Sequence, residues 1–394
     1  MNGDSMFYLG IDIGKNTHVA SLIDEKGKAY FKAFSFSNST DGADSLISKL
    51  TPYFEDLAIG MEATGHYWLS LYSFLFEKGF KIHVINPIQT DGWRHGIEIR
   101  KRKTDKIDSL LIADLLRYGD FVETTLSSED FMSLRNLSRF RSYLVSSIGD
   151  LKRKAIAVLD QVFPEYASSF SDIFGKTSKE ILLSFSTSAD FEDISASQLN
   201  KVLDNIHHKK FAKNKIDELS LKAKDSFGIT FCLDSFSLQI KLLIEQIIFI
   251  EEQISTVEEE ISILMEKMDS PITTIPGIGK VNGATILGEI GDINRFSNAS
   301  KLVAYAGLDA SVSQSGEYES TTNKMSKRGS PYLRKALFQS ALRAEFYDPV
   351  FSEYYQKKIS EGKHHLVATN AVARKLCHTI YAILTKNTPY EVQP

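Results

Sequence analysis

Phe7-Tyr8-Leu9-Gly10-Ile11-Asp12-Ile13-Gly14-Lys15 is the stretch on which the fold turns. A short apolar run closed by glycine and lysine reads as a buried strand that delivers one carboxylate, Asp12, at its end. His18 to Ile23 follows as a second strand, then the turn Asp24-Glu25-Lys26-Gly27-Lys28 and a third strand over Ala29 to Phe36. Tight, glycine-containing connections of this kind predict an antiparallel meander. Farther along, the spacing predicts a helix over Gly42 to Tyr53 and a short buried strand over Leu57 to Met61, which delivers Glu62. A helix over His66 to Lys78 is stopped by Gly79, and a fifth strand, Lys81 to Ile85, is stopped by Asn86-Pro87. The stretch from there to Lys103 reads as a polar, basic loop, and a helix opens near Thr104.

Three strands, helix, strand, helix, strand, helix is the order of the ribonuclease-H-like layered α/β fold. From about Met132 the pattern becomes helical. Leu134, Leu137, Leu144, Ile148, Leu151 and Val158 mark one long helix that ends at Phe163-Pro164. A serine-rich, less regular insertion covers Glu165 to about Cys232 (165–232). The next helix carries Ile240, Leu243, Ile247, Ile250, Ile254, Val257, Ile261, Leu264 and Met268, whose gaps alternate three and four. That is a heptad seam, and it requires a partner: either the Leu134 helix of the same chain or a second copy in a coiled coil. After Ser270-Pro271 glycines, prolines and basic residues return up to about Arg343, and a helical tail with Val367 to Leu384 closes the chain. The expected organisation is an α/β domain over 1–130, a helical domain over 131–269, and a mostly helical domain over 270–394.

The bulk numbers are consistent with this division. At 394 residues the chain is long enough for two or three domains. A formal net charge of −4 argues against a uniformly basic nucleic-acid coat, so charge has to be read cluster by cluster. Cys232 and Cys377 are far apart and in no metal-ligand spacing, which excludes a disulfide framework and fits a reducing cytosol. The N-terminal residues do not read as a signal peptide, and no membrane span is expected.

Asp12, Glu62, Asp105 and Asp108 are the candidate catalytic and metal-ligating residues. Asp105 and Asp108 sit in Lys103-Thr104-Asp105-Lys106-Ile107-Asp108, and a spacing of three on a helix places both on one face. In the expected fold the first and fourth strands are neighbours whose carboxyl ends open on one edge. Four carboxylates gathered there repel one another, and a pair of hard divalent cations relieves that repulsion. Such a pair also suits phosphodiester chemistry. Singly, each carboxylate has an ordinary explanation: a turn residue, an exposed strand end, or a first-turn helix acid favoured by the helix dipole. It is the combination with the strand order that points to a metal site.

Three further features point to nucleic acid. Arg100-Lys101-Arg102-Lys103, with Arg94 and His95 upstream, adjoins the acidic residues, where an approaching phosphate backbone needs neutralisation. Ile275-Pro276-Gly277-Ile278-Gly279, followed by a helix over Val281 to Ile290, resembles a helix-hairpin-helix. Its Gly277 and Gly279 let backbone N–H groups approach a phosphate at a helix N-terminus. Ser326-Lys327-Arg328-Gly329 leads into a helix carrying Arg334, Lys335 and Arg343.

The acidic quartet, Lys-Thr-Asp-Lys-Ile-Asp, and the ordered block Pro-Gly-Ile-Gly … Ala-Tyr-Ala-Gly-Leu … Gln-Ser-Gly … Ser-Lys-Arg-Gly … Tyr-Leu-Arg resemble the DEDD insertion-sequence transposases. That family includes the Piv-type DNA invertases and the bridge-RNA-guided recombinases, and the resemblance covers nearly the whole chain outside the insertion. It implies a RuvC-like N-terminal domain, a coiled-coil middle and a C-terminal transposase domain with a serine nucleophile. The family's serine, which stands before a glycine, maps onto Ser315, with Ser313 and Ser311 as nearby alternatives. Ser109 stands where alanine is common after the second aspartate. Mg²⁺ or Mn²⁺, donor and target DNA, a noncoding guide RNA, a dimer or tetramer, and a bacterial, nucleoid-associated cytoplasmic location all follow as implications of that resemblance.

Three rivals remain at this point. One is a RuvC-type nuclease that uses water. Another is an actin-like ATPase, whose fold also opens on Leu-Gly-Ile-Asp-Ile-Gly-Lys but whose second phosphate loop is missing here. The third is a non-catalytic coiled-coil scaffold that only binds nucleic acid.

Overall fold

The five expected strands form one mixed sheet: β1 (Phe7–Asp12), β2 (Thr17–Asp24), β3 (Ala29–Ser37), β4 (Leu57–Glu62) and β5 (Lys81–Ile85), in the order β3-β2-β1-β4-β5. The computed structural model describes residues 6–63, 65–85, 87–97, 104–119, 128–192, 194–203, 213–309, 314–315, 318–319 and 325–392. β1 runs antiparallel to β2 and β2 to β3, while β1–β4 and β4–β5 are parallel. Three strands joined by short turns can only be antiparallel, and the two parallel additions each require a crossover helix. Those crossovers are α1 (Thr40–Leu50) and α2 (Trp68–Glu77).

Alternation along β1 assigns its two faces. Leu9 and Ile11 are fully buried in one core with Leu46 and Leu50 of α1 and Leu71 and Leu75 of α2. Gly10 and Asp12 therefore face the other side. The segment after β5, expected as a loop, begins with a helix instead: α3 (Pro87–Ile97). Proline in the first turn is compatible with a helix, and Trp93 packs against Ile85 and Ile112, so tertiary contacts hold a segment with two glycines in helical form. The expected helix after Thr104 is α4 (Asp105–Tyr118), with the Thr104 hydroxyl accepting from the Ile107 N–H at 3.4 Å.

The chain divides into two compact units, Met1–Leu126 and Ser127–Pro394. In the second, α5 (Glu129–Val162) opens a largely helical region. The insertion contains α6 (Lys176–Ser184), α7 (Ser188–Phe191), α8 (Ala196–Leu203) and α9 (Lys213–Lys224), and then comes α10 (Leu233–Met268). Asp130 pairs with Lys267, Arg141 with Glu258 and Lys152 with Glu251, so α5 and α10 run antiparallel. The heptad seam therefore has an intramolecular partner. Ile240, Ile247 and Ile261 are buried, while Ile250, Ile254 and Val257 are half-buried.

One end of this pair shares a core with the insertion, around Phe163, Tyr166 and Phe191. The other end shares a core with the C-terminal helices, where Leu134, Ile261 and Met265 join Ile272, Leu287, Leu337 and Leu376. Those helices are α11 (Lys280–Ile290), α12 (Ala299–Tyr305), α13 (Pro331–Tyr347), α14 (Pro349–Ser360) and α15 (His365–Lys386). A two-residue ladder, β6 (Gln314–Ser315) with β7 (Tyr318–Glu319), lies between α12 and α13 in the chain. Among the described residues no helix is long and apolar enough to cross a membrane.

Candidate active site and nucleic-acid interface

β1 and β4 are in register at Gly10 and Gly60, so Asp12 and Glu62, each two residues on, end adjacent strands on the same face. That face is covered by α4. A Cβ on Gly10 would lie 2.1 Å from the Ser109 carbonyl oxygen and 2.3 Å from the Ala113 nitrogen, so only glycine lets the helix backbone come so close. Ser109 is fully buried and its hydroxyl lies 2.8 Å from that of Ser21 on β2. At the other end of α4, Arg117 donates to the Glu25 carbonyl at 3.4 Å, in the β2–β3 turn. That turn lies at the Phe7 end of β1, because Asp24 pairs with Phe7. Hence α4 runs against β1, and its first turn, with Asp105 and Asp108, lies at the edge where Asp12 and Glu62 emerge.

Asp105 is exposed, Asp12 and Glu62 are half-buried, and Asp108 is buried. Two of them are held by residues that sequence reasoning did not single out as partners. Thr90 of α3 donates its hydroxyl to Glu62 Oε2 at 2.9 Å, and Arg94, one turn later, donates from Nη2 to Asp108 Oδ1 at 2.9 Å. The signal available in the sequence was their spacing of four, which puts both on one face only if the segment is helical. Among the described residues no three His, Cys, Asp or Glu side chains are gathered to hold a metal ion. The donor set nevertheless fits hard cations in kind: four carboxylates on one edge, with oxygen ligands only.

Arg94→Ala is expected to cost about 2 kcal/mol, because it removes a charge-assisted hydrogen bond from the buried Asp108 carboxylate. Urea unfolding without divalent ions checks this, and an unchanged midpoint and slope would count against the ion pair.

Two family models match the chain. One, named for the DEDD transposases of IS110 and described as a transposase, matches residues 9–164. The other, the transposase IS116/IS110/IS902 family, matches residues 269–356. Together they span more than half of the chain. It belongs to the IS110/IS116 family of transposases.

Relatives of this transposase extend the match to full length. The pilin gene-inverting protein of Moraxella lacunata is 25% identical over 396 residues, covering 98% of this chain and 98% of that protein. The mini-circle putative transposase for IS117 of Streptomyces coelicolor is 22% identical, covering 98% of this chain and 95% of that protein. An IS110 protein of the same organism is 34% identical over 124 residues, covering 31% of this chain and 30% of that protein. As a member of this family the chain is a transposase/recombinase enzyme, for which the family implies DNA as a partner and a divalent metal in general.

In the second unit Ser315 pairs with Tyr318 across β6 and β7, while Ser311 and Ser313 lie outside the described residues. The roots of this segment are tied together. Ser326 donates its N–H to the Asp309 carbonyl at 2.9 Å and also hydrogen-bonds the Asp309 carboxylate through its hydroxyl. Ser330 donates its N–H to the Tyr305 carbonyl at 2.8 Å. Beneath lies Glu289, 2% exposed, which accepts from Arg139 at 2.6 and 3.0 Å and from the Ser330 hydroxyl at 2.8 Å. A lone acid in the otherwise apolar Gly288-Glu289-Ile290 stretch was the sequence signal for that network.

Lys327 and Arg328 are exposed, and Lys327 adopts a positive φ of 54°. Arg100, Lys101, Arg102 and Lys103 lie outside the described residues. Gly279 is exposed with open space where a side chain would go, as a phosphate-approach role requires. Gly277 has a second reason to be glycine: its φ is +87° and a Cβ would meet the Ser340 carbonyl oxygen at 2.4 Å. The first helix of the hairpin is a single 3-10 turn, Pro271–Thr274. Burial pushes the Cys377 thiol up to about 12, which removes it as a nucleophile near neutral pH.

Proposed function

We propose that this transposase cuts and rejoins DNA strands through a serine-linked intermediate, with Asp12, Glu62, Asp105 and Asp108 as its acidic centre and Ser315 as its nucleophile. The observation that carries the reading is the seating of α4. Gly10 at one end and Arg117 at the other fix the helix so that its first-turn aspartates share an edge with Asp12 and Glu62. These four residues would hold Mg²⁺ or Mn²⁺. Cations bound there supply positive charge against the oxygens that gain charge as one P–O bond forms and another breaks.

The remaining chemistry falls to the chain. The Ser315 hydroxyl attacks the scissile phosphorus and passes its proton to a carboxylate of the acidic edge, since a neutral serine needs a base. The bond from phosphorus to the bridging oxygen of the cut strand breaks, and that oxygen leaves with a proton. A hydroxyl of the incoming strand then reverses the sequence, so the phosphodiester energy is conserved and no nucleotide cofactor is consumed. The acidic edge belongs to the first unit and Ser315 to the second. Lys327, Arg328, Gly277, Gly279 and the run Arg100 to Lys103 are assigned to the nucleic-acid backbone.

In the same reading 1–130 is the RuvC-like domain, 131–269 the helical middle with its insertion 165–232, and 270–394 the transposase domain with its helix-hairpin-helix. A noncoding guide RNA and a dimer or tetramer complete the proposal, on the family resemblance alone.

The deciding experiment traps end-labelled DNA with the full chain and Mg²⁺ under denaturing conditions. A covalent protein–DNA adduct is expected with the natural sequence and none with Ser315→Ala. Cut DNA without any adduct would mean that water is the nucleophile, as in a RuvC-type nuclease, and would end the serine assignment.

A further inference from the structure

A cleft of about 430 Å³ opens between α5, the first turn of α11 and α13, lined among others by Ser138, Arg141, Gly279, Lys280, Tyr332 and Lys335. Among the described residues no carboxylate lines it. The N–H groups of Lys280, Val281 and Asn282 precede the first intrahelical bond of α11, which Gly283 makes to Gly279 at 2.8 Å. Gly279 has no side chain to cap them. Helix N-termini in this state are donors waiting for an anion.

An independent observation comes from the opposite wall. Ser138 is 5% exposed, lines the cleft, and its hydroxyl has no hydrogen-bond partner. A buried hydroxyl is rarely left in that condition, and a ligand oxygen would satisfy it. The cations complete the picture. Arg141 is held by Glu258 and Lys280 by Glu266, which fixes their positions. Lys335 is exposed on α13 and has no carboxylate partner among the described residues.

We propose that this cleft seats a phosphodiester of a nucleic-acid backbone, its oxygens held by Lys335, the Ser138 hydroxyl and the free N–H groups of the α11 turn. The inference rests on the reading that this chain handles nucleic acid, and it adds Ser138, Lys335 and the α5 wall to the glycine hairpin. Backbone donors and a lysine contact the phosphate and carry no sequence information, so the seat positions the strand and leaves base reading to other residues.

Fluorescence anisotropy with the full chain in EDTA tests it, using a random-sequence DNA duplex and a random-sequence RNA strand over a salt series. Lys335→Ala is expected to weaken binding about ten-fold and to lower the slope of log affinity against log salt by about one. Gly279→Asp provides the sharper test. Its φ of −86° and open surroundings accept a side chain, and aspartate is a favoured N-cap, so the melting temperature should hold or rise. Binding should fall at least as far as for Lys335→Ala, because the carboxylate takes the N–H groups and repels the phosphate.

A loss confined to the duplex supports the seat and assigns it to DNA. A loss confined to the strand supports it and assigns it to RNA. If both variants bind both probes with natural affinity and slope, the seat is refuted while the recombinase reading stands. If the natural chain binds neither probe, both are refuted.

Discussion

Asp12→Ala is expected to lower strand exchange about a thousand-fold, ~4 kcal/mol of barrier, while the melting temperature stays within a few degrees. The two halves of that expectation have different sources. Asp12 ends the central β1 strand beside Glu62 and faces the α4 side of the sheet, so its carboxylate is central to the proposed acidic centre. Losing one of four ligands removes charge stabilisation where the reacting phosphate needs it. The fold has less to lose, because Asp12 is only half-buried at a strand end and supplies none of the apolar packing of the sheet. Asp12→Asn keeps the shape and a hydrogen-bonding group, and the same loss is expected, since the charge is what matters. Exchange assayed with Mg²⁺ on an element-end substrate decides the matter. Full activity in both variants would remove Asp12 from the reaction.

How legible this was in the sequence varies with the kind of force involved. β1 is an apolar run and β5 an alternating one, both bounded by turn residues, and their ends are readable almost to the residue because burial and turn chemistry agree there. The mate of the heptad seam was not readable. Ile240 and Ile261 require a partner but do not name one, and charge pairs such as Arg141–Glu258 settle the choice only once the chain is folded.

The helix α3 was missed for a sharper reason. Pro87-Ile88-Gln89-Thr90-Asp91-Gly92-Trp93-Arg94 has little intrinsic preference for helix, and what holds it is nonlocal: Thr90 on Glu62, Arg94 on Asp108, Trp93 on the core. A carboxylate can be found by its position at a strand end. Its counter-charge, brought in by tertiary packing, cannot. The glycines were half-legible in the same way: Gly279 stands open as expected, whereas Gly277 is fixed by α13, a helix more than fifty residues downstream in the chain.

Gly10→Ala tests the seat of α4 itself. Its Cβ would meet backbone atoms, the Ser109 carbonyl oxygen at 2.1 Å and the Ala113 nitrogen at 2.3 Å, and no rotamer change relieves a clash with backbone. The helix must lift or the strand must bend, at a cost of about 3 kcal/mol or more. That corresponds to a fall of roughly 10 °C in the melting of the N-terminal unit. Gly92→Ala is the control in the same unit. It lies within α3 with nothing near its missing Cβ, so it should leave stability unchanged or raise it by roughly 0.5–1 kcal/mol. Because Asp105 and Asp108 ride on α4, Gly10→Ala should also cost activity below its melting point, with no carboxylate altered. Melting by calorimetry and exchange assays on the two variants separate the cases. Equal stability for both would mean that α4 does not lie on β1 as closely as the acidic edge requires, and would take the shared site with it.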